Sequence, residues 1–330
     1  RRVLFRSEQG GPASLSGATI YSLLEDARGS LWIGTGESGL AQISGETLRM
    51  FDRSNGFGAQ AVYALAEGGG GAIWAGARNG LWRYEGGRWQ QFTERDGLGN
   101  AFVRALTRGR DGSIWIGTNG GGVSHYVNGR LETIQAREPL ANFVRAIYED
   151  QDGNIWVGTS GGGLNLLRGR QLLALTTTAG LPDDVVYAIA EDRQGHFWMS
   201  SNRGVFRASR SELLAAAGTP GTRVAAVMFG VGDGMRSAEC NGGFQPASTT
   251  ARDGRIWFPT IRGVVAVDPS RASTRRPAPG VALESAAINR QSIDTRRSAE
   301  APVGSGELTV RYTGLALGDP SRLQIGRAHV

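Results

Sequence analysis

One position of the chain recurs with side chains that are able to bind a ligand. In five units, a small residue is followed by a large aliphatic one, and the residue just before the small one is Tyr or Arg. The five residues are Tyr21, Tyr63, Arg104, Arg145 and Tyr187. Guanidinium groups donate paired hydrogen bonds to anionic groups, and aromatic rings offer apolar faces. The pattern predicts a basic and aromatic pocket for an anionic or sugar ligand; the alternative is a set of solvated rim arginines.

Two asparagines are predicted to lie beside that pocket. Asn119 and Asn202 each occupy a turn shortly after a Trp-containing strand. In a radial array of four-stranded sheets, the connection into the first strand and the turn between the second and third strands share one face. The candidate ligand-binding residues are Tyr63, Arg104, Arg145, Tyr187, Asn119 and Asn202.

The side chains that usually perform catalysis or bind metals are sparse. His125 and His196 lie in different units at non-equivalent positions, and neither has neighbouring Asp, Cys or His residues at metal-binding spacing. Cys240 is the single cysteine, which excludes an internal disulfide and a cysteine metal cluster. We therefore expect no metal, no cofactor and no catalytic residue.

A repeated tryptophan identifies the elements that must position these side chains. Each repeat is a short apolar strand, a Gly-containing turn, an aliphatic residue and a Trp. The repeated residues are Trp32, Trp74, Trp115, Trp156, Trp198 and Trp257. Their spacings are 42, 41, 41, 42 and then 59 residues, and a period of about 40–45 is typical of a four-stranded propeller blade. The sequence predicts an all-β propeller, with six recognisable blades of an expected seven.

The tryptophans are interpreted as structural. A large ring at one repeat position is expected to fill the space between neighbouring blades and to bury on the order of 200 Å². Near the axis the first strands are crowded, which explains the small residue that precedes each large aliphatic one. The alternative is a ring of stacking platforms for sugars.

Composition argues against nucleic-acid binding despite a net charge of +6. All 36 basic residues are Arg, and they are scattered along the chain. A surface for phosphate backbones would normally combine Lys with Arg in a patch. The 51 glycines, against 11 prolines, suit many tight turns between strands.

Both ends of the sequence are predicted to be artefacts. Back-translation of residues 325–330 yields a reverse complement that encodes residues 2–6, as a sequencing adapter read through at both sides would. Without residues 1–7 and 325–330, 32 basic residues face 30 acidic ones. We expect the natural chain to continue beyond both ends.

The region after the fifth Trp unit departs from the repeat. Ser209 and Glu212 form a possible capping box for a short helix ending at Gly218, and this helix with a strand over residues 224–229 is expected to explain the longer last spacing. The predicted propeller covers residues 8–270, and a linker covers 271–280. Alternating residues from 281 to 324 predict the first part of an immunoglobulin-like β-sandwich.

These units resemble a known family. The pattern YxLxED-xxGxLWIGT, clearest in residues 21–35, resembles the two-component regulator propeller repeats. Residues 232–246 followed by 253–260 resemble the closing blades of such a propeller, and residues 281–322 resemble the start of the triple-tyrosine (Y_Y_Y) domain. The resemblance extends over about residues 15–324.

The resemblance implies an extracytoplasmic sensor, part of a hybrid histidine kinase or diguanylate cyclase. It implies a periplasmic location, a homodimer in the full-length protein, a small-molecule or oligosaccharide ligand, and membrane attachment only through a segment beyond this sequence. A ligand would then shift the population between two dimer geometries. The alternative is a lyase or hydrolase of the streptogramin-lyase type, which shares similar short repeats and needs converging His, Glu and Tyr side chains.

Overall fold

The computed structural model describes residues 15, 17–272, 280–289, 291–294 and 307–315. The chain divides into two compact units, one ending at Pro269 and one beginning at Ser270. The predicted artefactual ends, residues 1–7 and 325–330, lie outside the described residues, as does most of the predicted linker 271–280.

The first unit consists of successive antiparallel sheets, each formed by consecutive strands. Blades 1 to 3 contain β1 Ile20–Glu25, β2 Leu31–Thr35, β3 Leu40–Ser44, β4 Thr47–Phe51, β5 Val62–Glu67, β6 Ile73–Ala77, β7 Gly80–Glu85, β8 Arg88–Phe92, β9 Val103–Arg108, β10 Ile114–Thr118, β11 Val123–Val127 and β12 Arg130–Ile134. Blades 4 to 6 contain β13 Val144–Glu149, β14 Ile155–Thr159, β15 Leu164–Arg168, β16 Gln171–Leu175, β17 Ala188–Glu191, β18 His196–Ser201, β19 Gly204–Ser209, β20 Val227–Phe229, β21 Thr249–Thr250, β22 Ile256–Thr260 and β23 Gly263–Val267. The first strands of blades 1 to 5 adjoin one another in order. The predicted all-β propeller is confirmed.

A hydrogen bond from the Trp indole fixes the turn before the second strand in three blades. The Trp indole N–H donates to an Asp six residues earlier in the pairs Trp32–Asp26 (2.8 Å), Trp156–Asp150 (2.9 Å) and Trp198–Asp192 (2.8 Å). The Asp150 carboxylate also accepts the backbone N–H groups of Asp152 and Asn154. In blades 2, 3 and 6 the equivalent positions are Gly68, Gly109 and Ala251, which supply no carboxylate.

Consecutive blades approach one another closely at a glycine. Gly158, on the second strand of blade 4, is paired with Ala146 and lies against Val186 at the entry to blade 5. A Cβ atom on Gly158 would be 2.7 Å from the Val186 carbonyl oxygen and 2.8 Å from its Cγ1 atom, closer than real contacts allow. The same arrangement joins Gly76 to Val103 and Gly117 to Val144.

The repeated indoles pack towards the following blade. Trp32 contacts Tyr84, Trp74 contacts Tyr126 and Trp156 contacts Phe197, with ring centroids 4.7–5.8 Å apart. Trp32, Trp74, Trp156 and Trp198 are buried, whereas Trp115 and Trp257 are half-buried.

Each connection between blades contains one short turn of 3-10 helix. These turns are Arg53–Asn55, Glu94–Asp96, Pro139–Asn142, Thr177–Ala179 and Val231–Asp233, and a further one, Gly69–Gly71, lies inside blade 2. Four connections then continue with a left-handed glycine and a buried apolar residue: Gly56 and Phe57, Gly97 and Leu98, Gly180 and Leu181, Gly234 and Met235. The connection into blade 4 lacks this pair, because Phe143 follows Asn142 directly.

The predicted helix is present, but its predicted capping box is not. The helix α1 covers Arg210–Gly218, and the Ser209 side chain makes no capping bond. The Ser209 hydroxyl instead lies 2.8 Å from that of Ser211, and the Glu212 carboxylate accepts the backbone N–H of Ala225. None of the described helices has the length and apolar composition needed to span a bilayer.

The second unit contains one antiparallel sheet in its described residues. Its strands are β24 Gly280–Ile288, β25 Gln291–Ile293 and β26 Leu308–Leu315, in the order β25-β24-β26. The two strands expected from residue alternation are therefore present, and the remainder of the sandwich stays a prediction.

Candidate functional site

The side chains that open the first strands of blades 1 to 5 gather at one end of the axis. We call this set, Tyr21, Tyr63, Arg104, Arg145 and Tyr187, the axial mouth. Tyr21 and Tyr63 stack with their centroids 5.3 Å apart. The ring of Phe244, from the last part of the propeller, lies 4.2 Å from the Tyr21 ring and 5.8 Å from the Tyr63 ring.

Arg104 lies between these aromatic rings and the backbone at Gly243. Its guanidinium carbon is 4.7 Å from the Tyr63 centroid and 4.2 Å from the Phe102 centroid, at cation–π distance. Its Nη1 donates a 2.8 Å hydrogen bond to the carbonyl oxygen of Gly243, and its buried Nε has no partner among the described residues. Burial, together with the nearby charge of Arg145, lowers the pKa of Arg104 to about 10.

Arg145 brings a second cation to the mouth. Its Nη1 donates a 3.1 Å hydrogen bond to the Asn119 side-chain oxygen, and burial lowers its pKa. Within the part of the chain that the structure describes, neither Arg104 nor Arg145 forms an ion pair. The two half-buried guanidinium groups therefore repel one another, and no carboxylate of the described residues pairs with either of them.

Tyr187 completes the mouth on the fifth blade. Its hydroxyl donates a 2.8 Å hydrogen bond to Asn202, and burial raises its pKa. Both predicted asparagines thus hold a first-strand side chain: Asn119 holds Arg145 and Asn202 holds Tyr187. The structure brings all six candidate ligand-binding residues to this end of the propeller.

Residues 241–247 cover the mouth, and we call them the axial segment. They were not among the candidate site residues predicted from the sequence. Cys240 N donates to Ser201 O, and Thr249 of β21 pairs with Trp257, so both residues lie along the inner edge of blade 6. Eight residues separate Cys240 from Thr249, whereas three separate the corresponding Val186 and Ala190 of blade 5. The long last spacing therefore reflects this insertion as well as the helix.

The axial segment is held by contacts to four blades, including the stacking of Phe244 on Tyr21 of blade 1. Gln245 accepts the Leu106 N–H at 2.6 Å through its side chain and donates its own N–H to Tyr63 O at 2.9 Å. Gly242 packs so closely on the Tyr187 ring that no side chain would fit there. The sequence signal for this approach was the Gly242-Gly243 pair inside a strand pattern.

The histidines do not take part in the mouth. His125 stacks on Trp115 at 3.7 Å and its Nε2 lies 2.8 Å from the Ser113 hydroxyl, while burial lowers its pKa. His196 lies 3.3 Å from the Asp192 carboxylate beside a blade turn. No group of three or more His, Cys, Asp or Glu side chains that could hold a metal occurs among the described residues.

Four segments match the family described as the two component regulator propeller. They are residues 14–37, 97–120, 139–161 and 180–203. Each covers the first and second strands of one blade, in blades 1, 3, 4 and 5. The repeat resemblance stated above is confirmed, whereas none of these four segments extends into the predicted triple-tyrosine domain.

Solved structures share the fold at low identity. The extracellular domain of the hybrid two component system BT3049 from B. thetaiotaomicron is 21% identical, with a TM-score of 0.65 over 86% of this chain and 38% of that one. Virginiamycin B lyase from Staphylococcus aureus is 13% identical, with a TM-score of 0.59 over 76% and 82%. PorZ of the type-IX secretion system of Porphyromonas gingivalis is 16% identical, with a TM-score of 0.58 over 92% and 47%. No curated protein sequence matches the chain.

Proposed function

We propose that this chain is the extracytoplasmic sensor region of a two-component signalling protein and that its axial mouth binds an anionic ligand. The matched repeats and the fold shared with a two component system ectodomain support the first part. One observation carries the second part: Arg104 and Arg145 are half-buried side by side without an ion pair among the described residues.

The chemistry of the mouth favours a carboxylate, sulfate or phosphate group. Removing two cations from water costs free energy that only an opposite charge fully offsets. The bond from Arg104 to Gly243 O satisfies one donor of a group that has five. An oxyanion that replaces this carbonyl would bind both guanidinium groups, and the Tyr21 and Tyr63 rings would face the remainder of the ligand, as in an acidic oligosaccharide.

The axial segment offers a route from binding to signalling. A ligand bound at Arg104 competes with Gly243 O and so releases a segment that continues along the chain into blade 6 and the second unit. The ligand would shift the population between two arrangements of a homodimer formed through the triple-tyrosine domains. A periplasmic location and a membrane-spanning segment encoded downstream complete the proposal.

A lyase of the streptogramin type is the second candidate, because the fold of virginiamycin B lyase aligns over 82% of that enzyme's length. That chemistry requires a proton-transferring side chain next to the bound substrate. The imidazoles of His125 and His196 contact Ser113 and Asp192 of the turns before second strands, and neither contacts one of the six mouth residues, which favours recognition over catalysis.

The full-length reading frame tests the sensor role. We expect a transmembrane helix and a kinase or cyclase module downstream; a stop codon soon after the second unit would contradict the proposal. In the full-length protein, changing both Arg104 and Arg145 to Ala should abolish the response to ligand while leaving the circular dichroism spectrum unchanged. Normal signalling by a folded double variant would overturn the role of the mouth.

A further inference from the structure

The connection into blade 4 leaves a space that the other connections fill. In blades 2, 3, 5 and 6 the connection places a buried apolar side chain after a glycine: Phe57, Leu98, Leu181 and Met235. In blade 4 this glycine is absent, and Leu140 is 49% exposed. The slot between the connection and β16 consequently lacks its apolar filling.

Blade 4 places a polar residue of intermediate size beside this slot. The strand registers show that the position of Asn165 on β15 varies between blades: it is Trp82 in blade 2 and Phe206 in blade 5, but the smaller Ala41 in blade 1 and Ser124 in blade 3. The result is a cavity of about 570 Å³, which has Asn165, Ala141 and Leu173 among its lining residues. We call it the lateral cavity. Volumes of about 300–1,000 Å³ are typical of small-molecule sites.

Asn165, one of the residues that line the cavity, has an unused acceptor. Its side chain is fully buried, and its Nδ2 donates to the carbonyl oxygens of Gly162 at 3.0 Å and Gly163 at 3.4 Å. Rotating the amide would place its oxygen against those two carbonyls, so the orientation is fixed. The Oδ1 atom has no hydrogen-bond partner among the described residues. A buried acceptor without a donor is costly, and a ligand hydroxyl would satisfy it.

The rest of the lining suits a hydroxylated ring rather than an ion. Gln135 and Gln171 bring amide groups that both donate and accept. The charges are mixed, since Arg137 and Arg170 line the cavity with Glu138, and Arg170 is already paired with Glu132 at 3.0 Å. Leu172, on the same face of β16 as Ala174, supplies an apolar wall.

We propose that the lateral cavity is a second binding site, for a neutral sugar of monosaccharide size, with one sugar hydroxyl donating to Asn165 Oδ1. The inference does not depend on the axial mouth. It places a ligand at the side of the propeller, in a space that a buried apolar side chain of the connection fills in other blades.

Binding of glucose, galactose, mannose and N-acetylglucosamine to the purified chain tests this site by saturation-transfer NMR and calorimetry. We expect at least one sugar to bind saturably and to bind at least tenfold more weakly to Asn165→Leu. Because that buried change also removes two hydrogen bonds, Ala174→Trp serves as the second variant. Ala174 is exposed and lines the cavity opposite Asn165, so the indole would occupy the space without touching the core.

Gln91→Trp is the matched control, because Gln91 faces Trp82 at the equivalent position of blade 2. It should bind the sugar as the unmodified chain does. The proposal is overturned if no sugar of the panel binds, or if the folded Ala174→Trp variant binds as tightly as the Gln91→Trp control.

Discussion

The contacts between blades and the contacts at the axial mouth follow opposite rules. Between blades, the same types recur: a glycine against a valine, an indole against the next blade, and in three blades a carboxylate beneath the indole. At the mouth, equivalent positions carry Tyr or Arg, and blade 6 contributes a segment that no other blade has. Stability is therefore spread over repeated contacts, and the recognition that we propose depends on residues that depart from the repeat.

The lateral cavity, like the axial mouth, depends on a departure from the repeat. It exists because the connection into blade 4 lacks the glycine and the buried apolar residue that the other four connections share. A departure from a repeat is thus a useful pointer to function, because the repeat itself already supplies what the fold needs.

The largest effect should come from the repeated glycine contact. Gly158→Leu forces a side chain into the backbone of Val186, and we expect a loss of about 3 kcal/mol or more in the free energy of unfolding. Urea denaturation measures it. Gly218→Ala, at the exposed end of α1 with no atom near a new Cβ, is the control and should change stability by less than about 1 kcal/mol. Equal effects of the two changes would remove the distinction between repeated contacts and surface positions.

A smaller loss of stability is expected when the carboxylate that accepts a hydrogen bond from an indole is changed. Asp150 is fully buried and accepts hydrogen bonds from Trp156, Asn154 and the turn backbone. Asp150→Asn should cost about 2 kcal/mol, because amide nitrogen cannot accept all of these bonds. Asp111 in blade 3 accepts from Ser113 without an indole partner, so Asp111→Asn should cost less. Indistinguishable denaturation midpoints for the two variants would contradict this ranking.

Acid should weaken the same repeated contacts. Burial alone would raise the pKa of Asp150, but the bonds from Trp156 and Asn154 outweigh it and hold the pKa below its ordinary value of 3.8. A carboxyl whose pKa is lowered on folding stabilises the protein above its unfolded pKa and loses that effect as pH falls through the folded one. The free energy of unfolding should therefore be steady from pH 6 to about pH 4.5 and decrease below about pH 4. This decrease should be less steep in the Asp150→Asn variant than in the unmodified chain. Identical pH profiles would show that Asp150 does not contribute.

The smallest effect should be local to the mouth. Gln245→Ala removes the acceptor of the Leu106 N–H, which lies on the axis-facing edge of blade 3. We expect the Leu106 amide to exchange hydrogen at least tenfold faster, while the global stability changes by no more than about 1 kcal/mol. Unchanged exchange at Leu106 would mean that the axial segment does not protect the mouth.

The repeated part of the molecule could be predicted from the sequence, because Trp spacing and small residues report local strand geometry. The mouth could be predicted in part, since Arg104 and Arg145 share one repeat position. Their partners could not, because Gly243 lies 139 residues from Arg104 and reaches it only after the propeller forms. The lateral cavity was also missed, since an absent apolar residue leaves no motif and becomes visible only when all the connections are compared in space.

The most direct test of the account is stabilisation by an anion. Thermal unfolding is measured with and without inorganic pyrophosphate at constant ionic strength. Three proteins are compared: the unmodified chain, the mouth variant Arg104→Gln/Arg145→Gln, and a control in which two exposed arginines are changed, Arg28→Gln/Arg88→Gln. A ligand that binds only the folded state raises its melting temperature. We predict a concentration-dependent rise for the unmodified chain and the control, and none for the mouth variant. Equal rises in all three proteins would contradict anion recognition at the axial mouth.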